Sequence, residues 1–212
     1  MLFLAALLGG CSSLSLVNAV SPDGPARSVA SVAFSPDPRH ALDIYRPEKG
    51  AEQAPVIVFF YGGNWVKGER ADYAFVGHAL AARGFVVVIP DYRLYPQARY
   101  PDFLFDSARA LAWTERKIAA YGGDPKRIFL MGHSAGAYNA AMLALDPRWL
   151  RSQGSDPSHL RGWIGLAGPY NFLPVQNPVT RPVFLYPDTP ADSQPLQHAA
   201  AGAPPALLLA AR

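Results

Sequence analysis

The sequence predicts an α/β fold: a mostly parallel sheet with helices on both faces and an antiparallel hairpin at its N-terminal edge. Three observations predict it. Strand-like and helix-like segments alternate from residue 55 to 166, the pattern that builds a parallel sheet through right-handed crossovers. Runs such as Val56-Ile57-Val58-Phe59-Phe60 are apolar on both faces, which suits central strands covered by helices. Half of the 212 residues are hydrophobic, enough for one good core and too many for a disordered chain.

Each element has a local reason. Residues 29–35 and 41–45 read as strands, with Pro36-Asp37-Pro38 turning the chain between them. The buried run 55–61 follows. A helix is predicted over 72–83 and stopped by Gly84, then a continuous apolar strand over 85–90. The longest helix is predicted over 101–120, with Pro101 near its start and Gly122-Gly123 past its end. Leu104, Ala108, Leu111, Ala112, Ile118 and Ala119 mark its buried stripe. Strands are expected at 128–131, 163–166 and 206–209, with a helix over 135–144 after the first of these. The Pro-rich stretch 168–205 carries Tyr170, Phe172, Phe184 and Tyr186. A connection this long reads as functional or disordered, or else as plain surface.

The most specific feature is Ile128-Phe129-Leu130-Met131-Gly132-His133-Ser134-Ala135-Gly136-Ala137. An apolar strand ends in Gly-x-Ser-x-Gly and passes straight into a helix. A Ser lifted above a sheet edge needs a strained turn, and the residues two before and two after it pass close together. Gly132 and Gly136 supply the small residues. The N–H of Ala135 opens a helix without a partner inside it, free to donate to a developing oxyanion. A second apolar strand runs into Tyr61-Gly62-Gly63-Asn64-Trp65, a Gly-containing turn suited to bring the other oxyanion donors, Gly63 and Asn64.

The pair Tyr-Gly-Gly-Asn-Trp and Gly-His-Ser-Ala-Gly-Ala resembles the α/β-hydrolase superfamily, most of all its carboxylesterase and feruloyl-esterase-like branch, whose oxyanion loop reads His-Gly-Gly-x-Trp. Residues 84–96, Tyr100-Pro101-Asp102 with Asp106, and 121–128 fit the same branch, so the resemblance covers about residues 28–212. Tyr61 stands where many members have His; the backbone donors follow it, so tuning is expected. The resemblance implies a serine hydrolase acting on small-molecule carboxylic esters through an acyl-Ser134 intermediate, with no cofactor and no metal, and a cap over 168–205. It also implies that the triad acid follows the strand spelled Ala206-Leu207-Leu208-Leu209-Ala210 and that the His lies further on. The sequence ends at Arg212, so neither partner is expected, and the chain reads as a C-terminally truncated and inactive hydrolase whose last strands and helix are missing. Amide hydrolysis, as by a formylkynurenine formamidase or a peptidase, and a non-catalytic binding protein on the same fold are the competing readings.

None of the five histidines is a ready substitute. His133 should point away from its neighbour's hydroxyl on a sharp turn. His40 and His78 precede Ser134, His159 precedes a strand, and His198 is the least poor base. Asp188 and Asp192 are not assigned as the acid. Asp106 should hold the core or a turn together, Asp91-Tyr92-Arg93 should brace the oxyanion loop, and Trp65 should pack beneath it.

The one cysteine sits in Leu8-Gly9-Gly10-Cys11, after an apolar run too short to span a bilayer. It resembles a bacterial lipoprotein processing site, with Cys11 lipidated and residues 12–28 as a tether. An ordinary secretory signal and a buried N-terminal strand are the alternatives, and no Lys or Arg precedes the run. Net charge is +3, and the basic residues are dispersed, which argues against a nucleic-acid partner. The oligomeric state is not legible.

Overall fold

The computed structural model describes residues 17–18, 20–21, 24–50 and 52–210. The expected signal segment and Cys11 lie outside them. The sheet has seven strands in the order β1-β2-β4-β3-β5-β6-β7. They are β1 (Ala26–Ala33), β2 (Ala41–Pro47), β3 (Ala54–Phe60), β4 (Val86–Pro90), β5 (Gly123–His133), β6 (Leu160–Leu166) and β7 (Ala206–Leu209). β1 and β2 form the antiparallel hairpin, β2 pairs antiparallel with β4, and all later pairs are parallel. The helices that bear on the site are α1 (Ala74–Ala81), α2 (Asp102–Lys117), α3 (Ala135–Leu145) and α4 (Pro147–Arg151). α1 covers β1, β2 and β4, whereas α2 and α3 pack on each other and on β5.

The core sits on β3 and β4, where every residue from Val56 to Phe60 and from Val86 to Ile89 is buried. Removing such a side chain from water is worth about 1.5–3 kcal/mol. Register then places the site. Phe60 lies opposite Gly132, and Leu166 opposite His133. Tyr61, Ser134 and Ala167 therefore leave the same sheet edge side by side, at the carboxyl ends of parallel strands where α/β folds bind ligands.

Several boundaries differ from the sequence reading. β1 begins at Ala26, so residues 26–28 belong to the sheet and not to a tether; Ala26 pairs with Pro47 and Ser28 with Tyr45. It ends before Ser35, whose hydroxyl bonds His40 instead of continuing the strand. Asn18 also docks: its side-chain amide donates to Ala71 O and its Oδ1 accepts from Phe75 N–H. The helix expected over 72–83 opens as a 3₁₀ turn over Arg70–Tyr73, whose first N–H, that of Arg70, has no partner inside the helix and donates to Asp91 Oδ1. The helix expected over 101–120 likewise closes as a 3₁₀ turn over Ile118–Tyr121, stopped at Gly122 with φ 89°. α4 was not anticipated, although Asp146 capping the N–H of Arg148 with Pro147 between them is a legible start signal.

Candidate active site

Ser134 joins β5 to α3 at φ 53° and ψ −118°, outside the allowed regions for an L residue. Such a conformation costs about 1–3 kcal/mol and persists only where its surroundings impose it. Here the imposition is backbone packing. A Cβ on Gly132 would lie 2.2 Å from Gly136 O, and one on Gly136 would lie 2.0 Å from Phe60 O. The Ser134 N–H is spent on Leu166 O at 2.8 Å, and its carbonyl accepts from Ala137 and Tyr138. The hydroxyl has no hydrogen-bond partner among the described residues.

The loop after β3 comes up against this turn. A Cβ on Gly62 would sit 3.1 Å from the Cβ of Ser134, so the missing side chain sets their spacing. Asn64 and Trp65 follow at φ 55° and 58°, two consecutive non-Gly residues in the left-handed region. Gly63 O holds the turn by accepting from Val66 and Lys67. Among the described residues, the N–H groups of Gly63, Asn64 and Ala135 have no acceptor. Burial pushes the pKa of the Tyr73 phenol up, and the backbone of Gly62 pulls it back.

Beneath the loop, Tyr61 is buried and stacks on Tyr92 at 4.8 Å. Its hydroxyl donates to Asp91 Oδ1 at 2.9 Å and accepts from Arg39 at 2.7 Å. Arg39 also donates to Gly68 O at 2.9 Å, and Tyr92 donates to Tyr61 O at 2.7 Å. Burial first, and the neighbouring Tyr92 and Asp91 next, raise the Tyr61 pKa far above its ordinary value, so it stays a neutral hydrogen-bonding strut. Asp91 and Tyr92 therefore brace the loop as expected. Asp106 takes Arg93 in a fork, at 2.8 Å to each oxygen. Trp65 packs under the loop, 2% exposed. Sequence reasoning missed Arg39, Tyr73 and Asn139. A buried Asn in the otherwise apolar stretch 135–145 was the one available signal.

The histidines do not reach the Ser134 hydroxyl. His133 turns its Nδ1 toward the Tyr73 hydroxyl at 3.3 Å, and burial lowers its pKa. His198, the least poor candidate for a base, has a structural role instead: its Nε2 lies 2.7 Å from Asp192 O and 3.6 Å from Asp146 Oδ2. Asp146 caps the far end of the eleven-residue helix that Ser134 begins, roughly 18 Å away at about 1.5 Å per residue. Asp192 lies at that far end too, paired with Arg148 at 2.7 Å.

The segment 168–205 closes over the loop. Phe184 is fully buried and meets the ring of Trp65 edge-on at 4.8 Å. Tyr138 donates to Ser193 O at 2.7 Å. A cavity of about 450 Å³ remains between Asn64 and Trp65 on one side and Asn171, Phe172, Leu173 and Val175 on the other.

A family model, BD-FAE, matches residues 42–208. The chain belongs to the BD-FAE family. It is thus an α/β-hydrolase of the carboxylesterase and feruloyl-esterase-like branch, as the two Gly-containing turns implied. It is 38% identical over 145 residues to a probable isoprenylcysteine alpha-carbonyl methylesterase ICME of Oryza sativa subsp. japonica, covering 66% of this chain and 35% of the relative. It is 32% identical over 199 residues to esterase LipC of Mycobacterium tuberculosis, covering 84% and 49%. The chain thus spans about a third to a half of the length of these curated relatives. Among solved structures, an inhibited esterase B from Lactobacillus rhamnosis superposes with TM-score 0.78 at 19% identity, covering 92% of this chain and 70% of that one. That likeness concerns the fold.

Proposed function

We propose that this chain carries the nucleophile and oxyanion hole of a carboxylic ester hydrolase. Ser134 Oγ adds to the ester carbonyl. The N–H groups of Gly63, Asn64 and Ala135 receive the charge that develops on the carbonyl oxygen. Collapse of the tetrahedral adduct expels the alcohol and leaves an acyl-Ser134 ester, which water hydrolyses. The observation that carries this reading is the strained Ser134 turn, packed through Gly62 against a loop with two acceptor-free N–H groups. The cavity beside Asn64 would take the acyl or alcohol part of a small ester. The serine proton passes to a base and from it to the departing alcohol; among the described residues no such base is hydrogen-bonded to the Ser134 hydroxyl. Covalent labelling by a fluorophosphonate, located by mass spectrometry, tests the assignment. The label is expected on Ser134 and absent from Ser134→Ala; labelling unchanged in that variant would overturn it.

We also propose that Cys11 is the lipid attachment point and holds the protein at the periplasmic side of a bacterial membrane. Leu8-Gly9-Gly10-Cys11 supports this. One acyl chain anchors only marginally, so the cysteine would be multiply acylated. Protein from its native host is expected in the membrane fraction and Cys11→Ala in the soluble one; an unmodified residue 11 in the mass spectrum would refute it.

A further inference from the structure

We infer that Asn139 is a positioning residue for the oxyanion donors and acts through Trp65; the inference rests on the ester-hydrolase reading above. The donors come from two parts of the chain. Ala135 opens α3, and Gly63 and Asn64 lie in the loop after β3. A hole assembled from separate pieces works only if something fixes their separation, because a misplacement of about 1 Å can cost roughly a hundredfold in rate.

One buried hydrogen bond ties the pieces together. Trp65 follows Asn64 directly, and its Nε1–H donates to Asn139 Oδ1 at 2.9 Å across 74 residues of sequence. Asn139 lies four residues beyond Ala135, on the same face of α3. The asparagine is itself held, since its amide donates to Ser107 Oγ at 3.3 Å and that hydroxyl donates to Phe103 O at 2.8 Å. On the other side, Tyr95 N–H donates to Trp65 O at 2.8 Å. The strained Asn64–Trp65 backbone is therefore gripped at side chain and main chain.

Burial alone does not call for this bond. The indole already packs on Phe103, Tyr138 and Phe184, and an aliphatic residue at 139 would fill an apolar helix without a polar group to satisfy. Apolar ring packing is non-directional and does not by itself select one rotation of the indole in its plane. A hydrogen bond is directional and fixes that rotation, and with it the backbone that carries the Asn64 donor.

The test is ester hydrolysis by the full-length protein with Trp65→Phe, Asn139→Leu and the double variant. Trp65→Phe keeps one aromatic ring and removes the donor together with the pyrrole ring that bears it; it carries the test should Asn139→Leu fail to fold. Each single variant is expected to lower kcat about ten- to a hundredfold with KM nearly unchanged. The double variant should be no worse than either single. Affinity for a trifluoromethyl ketone, which mimics the tetrahedral adduct, should fall in step with kcat. Losses that multiply in the double variant, a change confined to KM, or a lowered Tm with wild-type kcat would overturn the inference. Ser134→Ala separates the two levels. If it keeps full turnover, the esterase reading fails and this inference with it; if it is inactive while Trp65→Phe and Asn139→Leu keep wild-type kcat, the positioning role alone fails.

Discussion

Ser35 and Ser134 each stand beside a histidine, and the chain treats them in opposite ways. Ser35 has the connectivity of a relay. Its hydroxyl is bonded to His40 Nδ1, and His40 Nε2 lies 2.9 Å from Asp106 Oδ1. Yet the last link is off hydrogen-bonding alignment, and Asp106 is occupied by the Arg93 fork. The Ser35 hydroxyl also accepts from Asp37 N–H, and Ser35 is not among the positive-φ residues. Ser134 has no relay within the described residues but has the strain, the unpartnered hydroxyl and the acceptor-free N–H groups. A Ser-His-Asp contact chain can thus be plain scaffolding that ties the β1–β2 turn to α2. The proposed reactivity rests instead on a backbone forced into a costly shape around donors left open.

The largest effect should break the comparison if it is wrong. In the full-length protein, Ser134→Ala is expected to lower ester turnover by about 10⁴-fold or more, while Ser35→Ala leaves it within a few fold. Turnover lost in Ser35→Ala at unchanged Tm would make the buried cluster the reactive one. Next in size is Asp106→Ala. It leaves His40 and Arg93 without their carboxylate, and the Asp106 side is fully buried, so a loss of about 3 kcal/mol in denaturant-derived stability is expected. Fluorophosphonate labelling of the remaining folded fraction should be unaltered. A stable Asp106→Ala with lost labelling would assign the cluster to chemistry after all.

Gly63→Ala sharpens the other side. Gly63 sits at φ 130°, and a Cβ there would lie 2.0 Å from Lys67 O, a backbone atom that cannot step aside. The loop must move and carry its donors with it. A kcat loss of roughly a hundredfold is expected, with little change in KM; wild-type kcat would remove the loop from the oxyanion hole.

What the sequence showed and what it hid follow from contact range. The Ser134 turn and the Gly62-Gly63 turn are local, since close backbone approach demands glycine within a few residues, and both were readable. So were β3, β4 and β7, whose apolar runs are continuous. The supports were not. Arg39 reaches Tyr61 across 22 residues and Trp65 reaches Asn139 across 74, and nothing in an isolated Arg or Asn names its partner. The start of β1 was hidden for a related reason: Ala26-Arg27-Ser28 has little strand propensity of its own and is strand only through its pairing with β2. Phe184 read as one aromatic of an irregular stretch, and only the fold seats it on Trp65.

His133 yields the smallest expected effect and tests whether adjacency to Ser134 means partnership. Burial holds its pKa below the ordinary 6.5, so the folded state binds a proton less readily than the unfolded one. The sign follows from linkage: this contribution to stability is fully present above about pH 6.5 and is lost as pH falls through the lowered folded-state value. His133 is only partly shielded from solvent, so the change is modest. His133→Gln removes the titration. Urea unfolding at pH 7.5 and pH 5.0 should show a smaller drop in stability for the variant than for the parent protein, by a few tenths of a kcal/mol in keeping with partial exposure. Fluorophosphonate labelling of Ser134 at pH 7.5 should stay within a few fold, since the ring faces Tyr73 and not the Ser134 hydroxyl. A labelling rate that collapses in His133→Gln with stability intact would make His133 a proton acceptor for its neighbour, and the contrast between Ser134 and the histidine-bound Ser35 would no longer hold.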